Sequence, residues 1–245
     1  MSGPIQTSDV TLVTRVRSFI AARFARGEYL GLHLTVGFLI TVGALLLFGS
    51  ITRQVVDDRS ITAFDLTVHT WMRAHATPLG DRVALTISFI GGPITMTILA
   101  LVVAMIAARM GAWLTLWVWL AAFIVGALLD WMLKNIIRRP RPIGAERFLH
   151  GVTFSYPSGH SMGSLIGLSM LAYVLIKLWP PARAHRVTVV AVAVILVLLV
   201  GWSRLYLGVH YLSDVIAGFA VGIVWVTVCM TGMELATRPR ERAAA

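Results

Sequence analysis

Six long stretches of the chain carry no charge, and the polar residues gather between them. The runs free of Asp, Glu, Lys and Arg are 29–52, 83–108, 110–129, 148–176, 187–203 and 215–233. The apolar part of the fourth begins near His160, which places its helix at 159–179. These runs match the roughly 17–25 residues that carry a helix across the hydrocarbon core of a bilayer. Leu, Val, Ala, Ile and Gly fill them without sustained two-residue alternation, so helices rather than barrel strands are predicted. Gly91-Gly92-Pro93 interrupts the second run and predicts a kink or its outer end. The predicted fold is all-α, an integral membrane bundle of six transmembrane helices over 29–235. A basic segment, 1–28, precedes it and a tail, 236–245, follows.

Composition supports the membrane reading. Hydrophobic residues make up 58% of the 245 and charged residues 13%, with a mean hydropathy of +0.82. A soluble domain has roughly 45–50% and about 25%. Disorder is excluded, and a water-soluble globule is disfavoured. The net charge of +10 would suggest nucleic acid in a soluble protein. Six spans instead put both termini on one side, together with the link at Arg109 and the 177–186 loop. That side holds eleven Lys and Arg against four Asp and Glu, and the other side ten against seven. Several of the ten form one cluster with a chemical role, described below. With that cluster set aside, the excess places both termini in the cytoplasm. No nucleic-acid partner is needed to explain the charge.

The single Cys229 allows neither a disulfide framework nor a cysteine metal site. Residues 1–28 lack the compact apolar core of a cleavable signal. Within them Leu12, Val16, Phe19, Ile20 and Phe24 recur at helical spacing among Arg15, Arg17, Arg23 and Arg26. That pattern fits a helix lying in the membrane interface. A solvated basic tail or an Arg-rich presequence fits it too.

Ionisable residues within or at the ends of spans are functional candidates by default. Three groups stand out: Lys134 to Arg141-Pro142 after span three, Pro157-Ser158-Gly159-His160 opening span four, and Ser203-Arg204 with His210 and Asp214 between spans five and six. Span counting puts all three at one face of the membrane, opposite the termini. Lys134, Arg141 and Arg204 supply cations and forked donors for an anion with several oxygens. Ser158 and Gly159 stand where a helix begins, and helix N-termini bind phosphate. Two histidines allow one to attack and the other to move a proton. His210 and Asp214, four apart, share a helix face, where the carboxylate can hold Nδ1–H and aim Nε2. No carboxylate pair or Cys/His cluster suggests a metal. Charge neutralisation then falls to Lys and Arg.

Lys134-Asn-Ile-Ile-Arg-Arg-Pro-Arg141-Pro142 fits KxxxxxxRP, Pro157 to His160 reads PSGH, and Ser203 to Asp214 fits SRxxxxxHxxxD. In this the chain resembles the type-2 phosphatidic acid phosphatase superfamily at eleven fixed positions, in order, over about 134–214. The segment from Phe64-Asp65 through Trp71, Arg73, Pro78 and Asp81 also looks like the first outer loop of bacterial members. The resemblance implies a metal-independent lipid phosphatase without a cofactor. By that analogy His210 attacks phosphorus and forms a phosphohistidine, Asp214 orients it, and His160 protonates the leaving oxygen. Lys134, Arg141, Ser158, Gly159 and Arg204 would cradle the phosphate. Vanadium haloperoxidases share these motifs but are soluble, and the spans argue against them.

The expected substrate is a lipid phosphate or diphosphate at the outer face of a bacterial cytoplasmic membrane. Undecaprenyl pyrophosphate comes first, with phosphatidylglycerophosphate, phosphatidic acid and lipid A phosphates as alternatives. A non-enzymatic lipid binder or transporter and a phosphatase for soluble esters are competing classes. The partners expected are the lipid substrate and the bilayer, with no obligate protein partner. Ser158 could act only as an N-cap. Arg138 and Arg139 read as interfacial charges or headgroup contacts rather than catalysts. His33, His69, His75, His150 and His185 are given no catalytic role. Trp113, Trp117, Trp119 and Trp179 fit an aromatic belt, and Gly163, Gly167, Gly218 and Gly222 give faces for close helix packing. Asp130, one turn before Lys134, is expected to orient its ammonium.

Overall fold

The computed structural model describes residues 29–148 and 154–244, with side chains over 34–148 and 154–237. The proposed interfacial helix within 1–28 lies outside the described residues. The chain divides into two units, one ending at Ile40 and the other running from Thr41. The described part of the first is the opening of helix α1 (Tyr29–Val56).

After α1 come α2 (Ser60–Ala74), α3 (Pro78–Ile90), α4 (Pro93–Arg109) and α5 (Trp113–Ile137). A 3-10 turn at Ala145–Arg147 leads to α6 (Gly159–Leu178), α7 (Pro180–Ala184), α8 (Arg186–Tyr206) and α9 (Leu212–Ala244). Among the described residues there is no strand. Six stretches of the described residues are long and apolar enough to cross a membrane, among them Pro78–Arg109, which joins α3 and α4, and Leu212–Thr237 within α9. The chain is therefore a multi-pass, all-helical membrane protein.

Several span boundaries differ from the sequence expectation, two of them around charged or capping residues. The third span continues through Asp130 and Lys134 to Ile137 rather than ending before the first charge. The two charges pair with each other at 2.5 Å, which lowers the cost of carrying them on a spanning helix. The second span starts at Pro78, capped by the Thr77 hydroxyl, which accepts from Gly80 N. Its expected break falls at Gly91-Gly92, between α3 and α4.

Helix α6 is apolar around most of its circumference, as a helix surrounded by others must be. Met162, Ile166 and Met170 are almost fully buried, among Trp119, Val197, Val226 and Cys229. Where α9 crosses the start of α6, the backbones approach closely. A Cβ on Gly218 would stand 2.6 Å from the Ser158 carbonyl oxygen, so only glycine fits. At the other end Lys177 and Tyr173 of α6 meet Glu234 of α9. Trp119 corrects the aromatic-belt reading: it is fully buried and donates Nε1–H to Ala100 O at 2.9 Å. Trp113, Trp117 and Trp179 are exposed, as a belt requires. Gly163 likewise departs from the packing expectation, because nothing lies within 4 Å of the position its Cβ would take.

Candidate active site

Four helix ends build the site: the last turns of α5 and α8 and the first of α6 and α9. Helix α5 stops when Arg138 turns left-handed (φ 51°), its N–H donating to Lys134 O. Pro140 and Pro142 then keep the segment from resuming a helix. Ser155 fastens it, its N–H donating to Arg139 O at 2.9 Å and its hydroxyl to Pro140 O at 3.0 Å. The side chain of Arg141 donates to Val209 O at 2.9 Å and reaches His210 Nε2 at 3.2 Å.

Helix α6 begins with Ser158 as N-cap, the hydroxyl accepting from Ser161 N–H and Ser161 Oγ–H. Ser158 N–H donates to Asp214 O at 2.9 Å, tying the starts of α6 and α9 together. Gly159 and His160 follow at the first two helical positions, where backbone N–H groups have no acceptor inside the helix. Lys134 Nζ donates to Asp130 Oδ1 and to Pro157 O, each at 2.5 Å, so the expected Asp130–Lys134 pair is present. At the end of α8, Gly208 adopts φ +66° and lets Val209 N–H return to Arg204 O at 3.2 Å. A Cβ there would be strained and would also meet Arg73 Cδ at 2.7 Å. Arg204, 4% exposed, donates Nη1–H to the Ser88 hydroxyl. Among the described residues its buried Nε has no hydrogen-bond partner.

These ends enclose a cavity of about 580 Å³. Lys134, Arg141, Gly159, His160, Arg204 and His210 line its polar end, with Asp130 beside them. From there it runs between α4 and α5 past Met96, Ala100 and Phe123 to Leu101 and Leu120. Along α5 that is ~20 Å, at 1.5 Å per residue. Leu101 and Ile124 on its walls are 64% and 65% exposed, so the groove opens sideways between spans. The absent side chain of Gly163 leaves part of this space.

A guanidinium only donates, so His210 Nε2, facing Arg141, must accept. That puts the ring proton on Nδ1, which lies 3.4 Å from Asp214 Oδ2. Burial, and then Arg204, Arg141 and Lys134, push the His210 pKa well below the usual histidine range, opposed by a backbone hydrogen bond at Ser155. The imidazole is thus held neutral with its Nε2 lone pair facing the cations. Burial also lowers the Arg141 pKa, against the pull of Asp214 and Asp130.

Of the residues singled out from sequence, Ser158 and Asp214 stand behind the cavity wall, and the other six face it. The reading of Arg139 as an interfacial charge is corrected. Arg139 is 7% exposed and bonds Asp214 Oδ1 at 2.6 Å and Asp65 Oδ2 at 2.8 Å. Two carboxylates outweigh its desolvation and raise its pKa. Asp65, 1% exposed, carried a legible signal. Asp65, His69 and Arg73 form an i, i+4, i+8 polar stripe in a segment with Phe64 and Trp71.

Comparison with known proteins agrees with the motifs. A family model described as the PAP2 superfamily matches residues 111–238, more than half of the chain. Phosphatidylglycerophosphatase B of Bacillus subtilis (strain 168) is 41% identical over 105 residues, 43% of this chain and 51% of that protein. The putative undecaprenyl-diphosphatase YbjG of Escherichia coli (strain K12) is 29% identical over 107 residues, 42% of this chain and 49% of that protein. The chain thus spans about half the length of the curated relatives it matches. The crystal structure of a transmembrane PAP2 type phosphatidylglycerolphosphate phosphatase from Bacillus subtilis superposes with a TM-score of 0.72 at 29% identity. That match covers 79% of this chain and 96% of the other.

Proposed function

The chain belongs to the PAP2 superfamily, and from that premise we propose that it is a membrane phosphatase that hydrolyses a lipid phosphate or diphosphate. The observation that carries this reading is the shape of one cavity. Its polar end gathers three cations and two histidines, and its apolar length opens sideways between spans. A lipid can place its phosphate among Lys134, Arg141 and Arg204 while its first carbons lie along the groove. A soluble ester would leave that groove unfilled.

In the first step His210 Nε2 attacks phosphorus, an N–P bond forms, and the P–O bond to the lipid breaks. His160 gives its proton to the departing oxygen. Asp214 keeps the proton on Nδ1 and stabilises the imidazolium that attack creates. In the second step His160 takes a proton from water, the oxygen attacks phosphorus, and the N–P bond breaks to release phosphate and restore His210. Charge on the transferring phosphoryl group is balanced by Lys134, Arg141, Arg204 and the α6 N–H groups. The active site faces the extracytoplasmic side of a bacterial cytoplasmic membrane, and both termini are cytoplasmic.

Two substrates lead. Undecaprenyl pyrophosphate is the choice from sequence, and phosphatidylglycerophosphate is the substrate class named for the similar Bacillus subtilis proteins. Phosphate release by the purified protein across a panel of lipid phosphates, with and without EDTA, tests the proposal. Release from at least one lipid, undiminished by EDTA, is expected. Release from soluble esters alone, or loss on chelation restored by Mg²⁺, would overturn it.

A further inference from the structure

Arg139 and Asp65 lie outside the eleven motif positions and do not line the cavity, yet they are among its most tightly bonded neighbours. Arg139 Nη1–H donates to Asp214 Oδ1 at 2.6 Å and to Ser213 Oγ at 2.7 Å, and its Nη2–H to Asp65 Oδ2 at 2.8 Å. The guanidinium also lies 4.3 Å from the centre of the Tyr211 ring. Asp65 accepts from Ser213 N–H at 2.9 Å and from the Ser213 hydroxyl.

The geometry fixes a direction. With Oδ1 of Asp214 taken by Arg139, Oδ2 is left to face His210 Nδ1 and Tyr211 N–H, the latter at 2.9 Å. Asp65 holds the plane of the guanidinium, and the guanidinium holds the plane of the Asp214 carboxylate. A forked donor matched to two carboxylates does this, whereas an ammonium would not. Helix α2 supplies the anchor. Below Asp65, Arg73 donates to Tyr206 O at 2.8 Å, so the same helix face grips both ends of the 206–213 segment that carries His210.

We propose that Asp65 and Arg139 are positioning residues for the nucleophile. A carboxylate–guanidinium–carboxylate chain runs from α2 to Asp214 and sets the tautomer and aim of His210. This rests on the reading of His210 as the attacking group.

The test uses the full chain purified in detergent. Asp65→Asn and Arg139→Lys should each lower kcat by about 10–100-fold, the range seen when groups that orient a reactive ligand are lost. KM should stay within about twofold, because neither residue touches substrate. Asp65→Asn combined with Asp214→Asn should be no worse than Asp214→Asn alone. Ser213→Ala, which leaves every charge in place, should lower kcat in the same direction and serves if Asp65→Asn does not fold. In ¹⁵N-histidine spectra, with the His210 signal assigned by its loss in His210→Ala, wild type should show Nδ1–H and a bare Nε2. Asp65→Asn should show mixed tautomers. Wild-type kcat in folded Asp65→Asn or Ser213→Ala, a loss that resides in KM, or multiplicative losses in the double variant would overturn the proposal. If the wild type releases phosphate from no lipid, the phosphatase reading fails. The tautomer spectra then still decide the positioning claim.

Discussion

Gly159→Ala should damage activity without damaging the helix that carries it. The new Cβ would lie 2.8 Å from Asp130 Oδ2, 3.1 Å from Oδ1 and 3.2 Å from Cγ. The Asp130 carboxylate would have to retreat by several tenths of an ångström, away from the Lys134 ammonium it holds at 2.5 Å. Lys134 keeps its second anchor, the Pro157 carbonyl. The loss is thus one charge-assisted hydrogen bond, worth ~1.5–3 kcal/mol. At ~1.4 kcal/mol per tenfold, kcat/KM should fall by about 10–100-fold if that bond is what aims the ammonium at phosphate. Meanwhile alanine favours the helix by up to ~1 kcal/mol over glycine, which offsets only part of that loss, so thermal stability should fall slightly while activity falls much further. The assay is a double-mutant cycle on lipid phosphate hydrolysis. Asp130→Ser shortens the side chain and removes the clash, so Gly159→Ala should cost little more in that background. Equal costs for Gly159→Ala in both backgrounds would refute the reasoning and place the role of Gly159 in direct phosphate contact.

The two histidines separate by leaving group. His160→Ala should be severely impaired on phosphatidic acid, by about 10²–10⁴-fold for a lost general acid, and should partly recover on p-nitrophenyl phosphate. His210→Ala should stay inactive on both, and recovery by His210→Ala instead would reverse the roles. For sidedness, Cys229→Ala provides the background. Ile143→Cys, at a position 95% exposed, should label with an impermeant thiol reagent in intact cells, and Ala184→Cys only after permeabilisation. The reverse pattern would put the active site in the cytoplasm. For pH, attack needs the unprotonated Nε2, and the His210 pKa lies below 6.5 through burial and three cations. The acid limb of kcat/KM due to His210 should therefore lie below pH 6.5. Arg141→Gln, which removes a cation and favours the imidazolium, should move it upward, substrate ionisation being common to both enzymes. A downward shift would contradict the electrostatics.

The apolar runs were enough to set the number of spans, because a spanning helix must hide its backbone and cannot carry many charges. Span counting then placed Lys134, His160, Arg204 and His210 at one end of the bundle, and residue type alone said that such a group suits an anion. Pairing was not legible. The rule that a span ends at the first charge cut α5 short because Asp130 and Lys134 neutralise each other on the helix. Arg139 and Arg141 are two apart and chemically identical. One faces the cavity and the other is buried because Asp65, 74 residues earlier in the chain, meets Arg139. Asp65 reaches Ser213 across 148 residues. Trp119 and Gly163 show the same limit: one fills the core and the other leaves the groove open, although each fits an ordinary membrane-helix pattern. Periodicity records which positions avoid water or charge. It does not record which distant backbone or carboxylate each side chain will meet, and only helix packing settles that.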